Sequence, residues 1–150
     1  MVSKDLSAVP PRRWSEELGG LRWLPRLIDK TRAALAGTLG DYLYGQSPVD
    51  REMLRALGVR YREFTKIVAD APDDAGVLGA LQSHSSDKLA AARAWSDALP
   101  RTHWLFLFVL DIDDGYARGP LRALKIPANA VANPLMRWLK RRFPSRALDV

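Results

Sequence analysis

Apolar side chains recur at helical spacing through most of this chain. Leu24, Leu27, Ile28, Thr31 and Leu35 stand three and four apart, as one face of an α-helix requires. Pro25 suits the first turn of that helix and Gly37 its C-terminal cap. Ser47, Pro48 and Asp50 supply a capping hydroxyl, a first-turn proline and an acid at N3 ahead of Met53, Leu54 and Leu57, and Gly58 ends the segment. Tyr61, Phe64, Ile67 and Val68 fall on one face of a third helix. Asp73 caps a weaker segment through Val77, Leu78 and Leu81, where Gly76 and Gly79 each cost about 1 kcal/mol relative to alanine. Ser85 or Ser86 starts a further helix through Leu89, Ala92, Trp95 and Leu99, with Pro100 as its stop. Thr102 caps the run HWLFLFVLDIDD, whose apolar stretch Leu105 to Leu110 suits a helix and a buried strand equally. Asn133-Pro134 opens a last helix, LMRWLKRRF, ended by Pro144. No two alternating runs flank a hairpin turn. The pattern predicts an all-α fold, a compact single-domain bundle of about six to seven short helices. An extended N-terminal arm over residues 1–20 packs through Leu6 and Trp14, residues 21–115 form the helical core, and residues 116–150 form a basic extension whose terminal helix rests on that core.

Composition narrows this picture. The chain has 150 residues, 47% hydrophobic and 27% charged, enough for one domain with its own core. It has no cysteine, which excludes disulfides, thiolate zinc sites and thiol nucleophiles. The N-terminal MVSKDLSAVPPRRW lacks an apolar run, and the longest uncharged stretch, Ala75 to Ser86, is too short to span a bilayer. A soluble, cytoplasmic protein is expected. The net charge of +6 is uneven: residues 71–115 carry seven acids against three cations, and residues 116–150 eight cations against one acid. A local basic patch, not uniform coating of a polyanion, follows from that distribution.

The sharpest chemical feature is the row Arg22, Arg26 and Lys30, one turn apart and joined by Arg32, directly after Gly19 and Gly20. Like charges at i,i+4 destabilise a helix by about 0.2–0.5 kcal/mol per pair, so the row should face acidic side chains or an anionic ligand. One reading places an anion at the glycine-flanked helix N-terminus, held by Arg22 and Arg26. The other lets Glu16, Glu17 or Asp41 supply the carboxylate while the glycines allow backbones to approach. Asp29, three residues from Arg26 and from Arg32, either makes surface ion pairs or is a buried carboxylate beside the bases. The turn Gly37-Thr38-Leu39-Gly40 returns Asp41, Tyr42 and Tyr44 over the helix, as site residues or as aromatic core. Asp111, Asp113 and Asp114 offer oxygen ligands to a divalent cation, or partners to Arg101, Arg118 and the basic segment. An EF-hand does not fit, because Arg122 takes the place of its glutamate. His84 and His103 belong to different elements, and no metal or cofactor is expected. Nucleophile elbows, Walker loops, dinucleotide fingerprints and zinc-protease motifs are absent. Leu135, Met136, Trp138, Leu139 and Phe143 with Arg137, Lys140, Arg141 and Arg142 make a cationic amphipathic helix, suited to the core, an anionic membrane or a nucleic-acid backbone.

Three segments together, LGGLRWLPRLIDKTRAALAGTLGDY, SPVDREMLRALGV and PRTHWLFLFVLDIDDG, resemble a bacterial family catalogued as domain of unknown function 5069. The resemblance runs from about Asp5 to Gly115 and leaves residues 116–150 unmatched. It highlights Gly19, Gly20, Arg26, Asp29, Lys30, Arg32, Gly37, Gly40, Asp41, Tyr42, Asp50 and Asp114, and it implies no particular activity. The first functional expectation is a binding module for an anionic small molecule or an acidic protein surface, through Gly19, Gly20, Arg22, Arg26, Lys30, Arg32 and Tyr42. The second is an enzyme acting on a phosphorylated or carboxylated metabolite, with Asp29 or Asp41 as acid/base. The third is nucleic-acid or membrane-surface binding by the C-terminal helix.

Overall fold

Two glycines decide how the chain enters its core. In the computed structural model, which describes residues 3–142, Gly19 (φ 61°) and Gly20 (φ 78°) form a two-residue turn. It joins β1 (Glu17–Leu18) to β2 (Leu21–Arg22), antiparallel, with Glu17 opposite Arg22. Positive φ at both central residues is the hairpin turn that glycine pairs favour. The expectation of no hairpin is corrected: strands of two residues are too short to alternate. The glycines therefore do not open the first helix. That role falls to Trp23, which holds φ at 71° as N-cap, with no side-chain cap, and donates its N–H to the Trp14 carbonyl at 3.0 Å.

Helix α1 (Leu24–Leu35) is central, with eleven of its twelve residues buried. It ends at Ala36, where Gly37 N–H bonds to the Ala34 carbonyl and Thr38 N–H to that of Ala33 at 2.8 Å, the paired bonds of a Schellman cap. Helix α2 (Pro48–Leu57) has the predicted cap at Ser47 and the left-handed Gly58 at its end. Helices α3 (Tyr61–Asp70) and α4 (Asp74–His84) follow, the latter capped by Asp73 through Gly76 N–H at 2.8 Å. Helix α5 (Leu89–Thr102) continues through Pro100, two residues from its end. The expected stop fails because a proline in the last turn forfeits a single hydrogen bond where the chain is free to bend. Helix α6 (Trp104–Asp114) settles the helix-or-strand ambiguity in favour of helix. A 3₁₀ turn (Gly119–Leu124) then leads into α7 (Lys125–Arg142), which includes Pro134. This helix begins eight residues before Asn133, and Phe143 and Pro144 lie outside the described residues.

Seven α-helices among the described residues make the predominantly helical, compact fold that the periodicity predicts. Helix α3 packs on α1, α2 and α4, α5 on α2 and β2, and α6 on α5 and α7. Leu24, Leu27, Ile28, Met53, Leu57, Phe64, Val68, Leu81 and Leu99 fill the space between them. The arm lies over the turn after α1, where Leu6 is buried and its N–H bonds to the Thr38 carbonyl at 2.9 Å. Gly40 admits this crossing, since a Cβ there would stand 2.9 Å from the Leu6 carbonyl oxygen.

Candidate functional site

A cation buried in a protein is tolerable only with a hydrogen-bonded counter-charge, and the chain brings four into or beside the core, Arg22 on β2 rather than on the expected helix and three on α1. Arg22, the outermost, meets Glu17 at 2.9 Å across the hairpin. Arg26 is buried and donates through Nη1 to Asp114 at 2.6 Å, its guanidinium 5.5 Å from the centres of both the Trp23 and Tyr42 rings. Lys30 donates to Asp50 and to the Leu43 carbonyl. Arg32 reaches Asp74 at 2.6 Å. The row thus faces acidic side chains of the chain itself, supplied by β1, α6, α2 and α4. Of the acids proposed for it from sequence, Glu17 is one, whereas Asp41 pairs with Arg137 of α7 at 3.0 Å.

Asp29 is buried and bonded from outside its own helix. The Arg12 backbone N–H donates to Oδ2 at 2.8 Å, the Arg12 Nη2 to Oδ1 at 2.8 Å, and Lys4 Nζ to Oδ2 at 3.1 Å. Surface pairing with Arg26 and Arg32 is therefore corrected, because the arm covers this face of α1 and brings its own cations. Asp29 and Asp41 sit in separate ion pairs, and each already accepts hydrogen bonds at both oxygens. Tyr42 donates to Asp114 at 2.8 Å, and burial followed by the Asp114 charge raises its phenol well above the usual range. Burial lowers the Lys30 ammonium against the pull of Asp50. For Asp74, burial pushes upward, but hydrogen bonds from Arg12 and Arg32 outweigh it and the carboxyl lies below its ordinary value.

The carboxylates of α6 are likewise separated. Asp111 accepts from Arg13 Nε at 3.0 Å and Asp114 from Arg26 and Tyr42, so for these two acids the arm, α1 and the turn after it stand where Arg101 and Arg118 were expected. Among the described residues no group of three or more metal-ligating side chains converges. His103, at the α5–α6 corner, meets Glu52 at 3.1 Å. An open cavity of about 540 Å³ lies beyond the end of α6, lined by Arg13, Glu16, Tyr116 and Arg118 among others. None of Arg22, Arg26, Lys30 and Arg32 lines it.

A different surface is conspicuous. Helix α6 buries Leu107, Ile112 and Asp114 and turns Trp104, Leu105, Phe108 and Val109 outward, 65, 57, 44 and 49% exposed. Helix α7 packs beside it and exposes Leu135 and Trp138. Sequence reasoning left the run open between a helix and a buried strand and did not anticipate its exposure, since hydrophobicity alone does not distinguish a buried side chain from one on a working surface. It also missed Lys4, Arg12 and Asp74, whose partners lie 17 to 62 positions away with no local signal.

The fold and this lattice of ion pairs define a helical domain organised about one charged central helix. The chain belongs to the DUF5069 family, described as a domain of unknown function, whose model matches residues 8–105. No curated protein sequence matches it. The family match ends at the second residue of α6, so most of the exposed apolar face and all of α7 lie beyond it.

Proposed function

We propose that this protein is a cytoplasmic, non-catalytic docking module that meets an anionic partner through the surface of α6 and α7. The observation that carries this reading is the outer face of α6, where Trp104, Leu105, Phe108 and Val109 stand in solvent on a helix whose opposite face is core. Contiguous exposed apolar side chains of this size mark interaction sites. The Arg22–Arg32 face is less suited to that role: its cations are held by Glu17, Asp114, Asp50 and Asp74, and an incoming anion would have to displace a carboxylate already in place. Asp29 and Asp41 are similarly engaged in ion pairs, and neither lines the open cavity beyond the end of α6, which supports the docking reading over acid/base chemistry at these positions.

The test replaces Phe108 and Val109 together by serine in the full chain. Binding of an apolar reporter dye is expected to fall about threefold while the far-ultraviolet circular dichroism is retained. Undiminished dye binding would overturn the proposal. So would a rise in melting temperature with inorganic phosphate or citrate that Arg22→Ala abolishes, since this would return the site to the Arg22–Arg32 face.

A further inference from the structure

We infer that the partner of the α6–α7 surface is the anionic face of a lipid bilayer, an inference that rests on the docking reading above. The charges around the apolar face point to it. Of the three carboxylates of α6, Asp111 and Asp114 are drawn inward by Arg13 and Arg26, and Asp113, half-buried in the last turn, is the third. Beyond Asp114, residues 115–142 contain seven lysines and arginines and no acid. Arg137 is engaged by Asp41 and Lys140 by the Gly40 carbonyl, while Arg118 and Arg141 are exposed. An apolar ridge with a cationic flank is the arrangement by which helices lie in a negatively charged interface, apolar side chains among the acyl chains and cations among the headgroups.

Other occupants fit less well. A second copy seated on the same face would bring two cationic flanks together, a like-charge apposition that opposes association. A nucleic-acid backbone matches the cations but gives Leu105 and Val109 nothing to bury against, because neither stacks on a base. A bilayer accepts both sets, and Trp104 and Trp138, each more than half exposed, are of the type that settles at headgroup depth. No helix of the described residues is long and apolar enough to cross a membrane, so α6 and α7 would lie on the surface.

The experiment is cosedimentation of the full chain with vesicles of phosphatidylcholine alone and with vesicles containing about one third phosphatidylglycerol. Binding about tenfold tighter to the anionic vesicles, weakening as salt is raised, is expected. Phe108→Ser with Val109→Ser should reduce it about tenfold, and Trp104→Ala, at the most exposed position, provides a second variant that leaves the core untouched. Equal binding to both vesicle types overturns the inference. If vesicles are ignored and the chain sediments as a dimer that the serine pair dissociates, the lipid inference fails while the docking reading stands. If a DNA duplex binds and the serine pair has no effect on it, the surface is electrostatic only and the lipid inference fails. Failure of vesicle binding and self-association together with unaltered dye binding removes both.

Discussion

Asp50 joins two buried partners through its carboxylate and its helix cap through its backbone. Fully buried, it accepts from Trp23 Nε1 at 2.8 Å and from the Lys30 ammonium, while its own N–H donates to the Ser47 hydroxyl at 3.4 Å. Removal of one partner of a buried ion pair leaves the other charge uncompensated in low dielectric. Asp50→Ala should therefore cost about 3–5 kcal/mol, read as a shift of the urea midpoint at unchanged slope. Lys66→Ala, which breaks the exposed pair with Asp70 on α3, should cost less than about 0.5 kcal/mol. A small effect at Asp50 would show that Lys30 sheds its proton and the interior relaxes. The sequence reveals only half of Asp50. Its place as an acid at N3 of α2 is written in Ser47 and Pro48, immediately beside it, whereas Lys30 and Trp23 lie 20 and 27 residues upstream and reach it only through the packing of α1 on the rest of the fold.

The same distinction governs whole helices. Helix α2 is legible because its capping hydroxyl, first-turn proline, apolar spacing and terminal glycine all lie within the segment they define. The hairpin and the left-handed Trp23 are not, since both follow from how the chain turns into the core. Helix α6 is obscured for a third reason: its solvent face is as apolar as its core face, which erases the helical period that would distinguish it from a strand. Neighbouring positions on α6 should accordingly respond very differently to truncation. Leu107, 2% exposed, should lose about 2–5 kcal/mol on replacement by alanine through the cavity it leaves. Phe108, the next residue, should lose less than about 1 kcal/mol, because much of its ring is already in water. Equilibrium unfolding of the two variants measures the contrast, and equal losses would mean that the outer face of α6 is covered in solution.

Three distant parts of the chain are tied at Asp74, the first residue of α4. Its carboxylate accepts from Arg12 of the arm and from Arg32 of α1, while Arg12 and Lys4 also clasp Asp29. The arm is thus held to the bundle by charge as well as by Leu6. Because the folded-state pKa of Asp74 lies below its ordinary value, the folded protein resists protonation of this group more than the unfolded chain does. The stabilisation is complete above the unfolded value of about 3.9 and is lost as pH falls through the lower folded one. Asp74→Asn should be less stable than the parent at neutral pH, and its stability should fall less steeply as pH drops below about 4. Urea midpoints of both chains across that range decide it, with parallel curves counting against the tie. If Asp74 also fastens the arm, the variant should be cleaved faster by a protease within residues 3–16 at neutral pH, where the parent is protected. Cleavage at equal rates would leave Leu6, the Thr38 bond and the clasp on Asp29 as the arm's attachment, and would confine the contribution of Asp74 to the junction of α1 with α4.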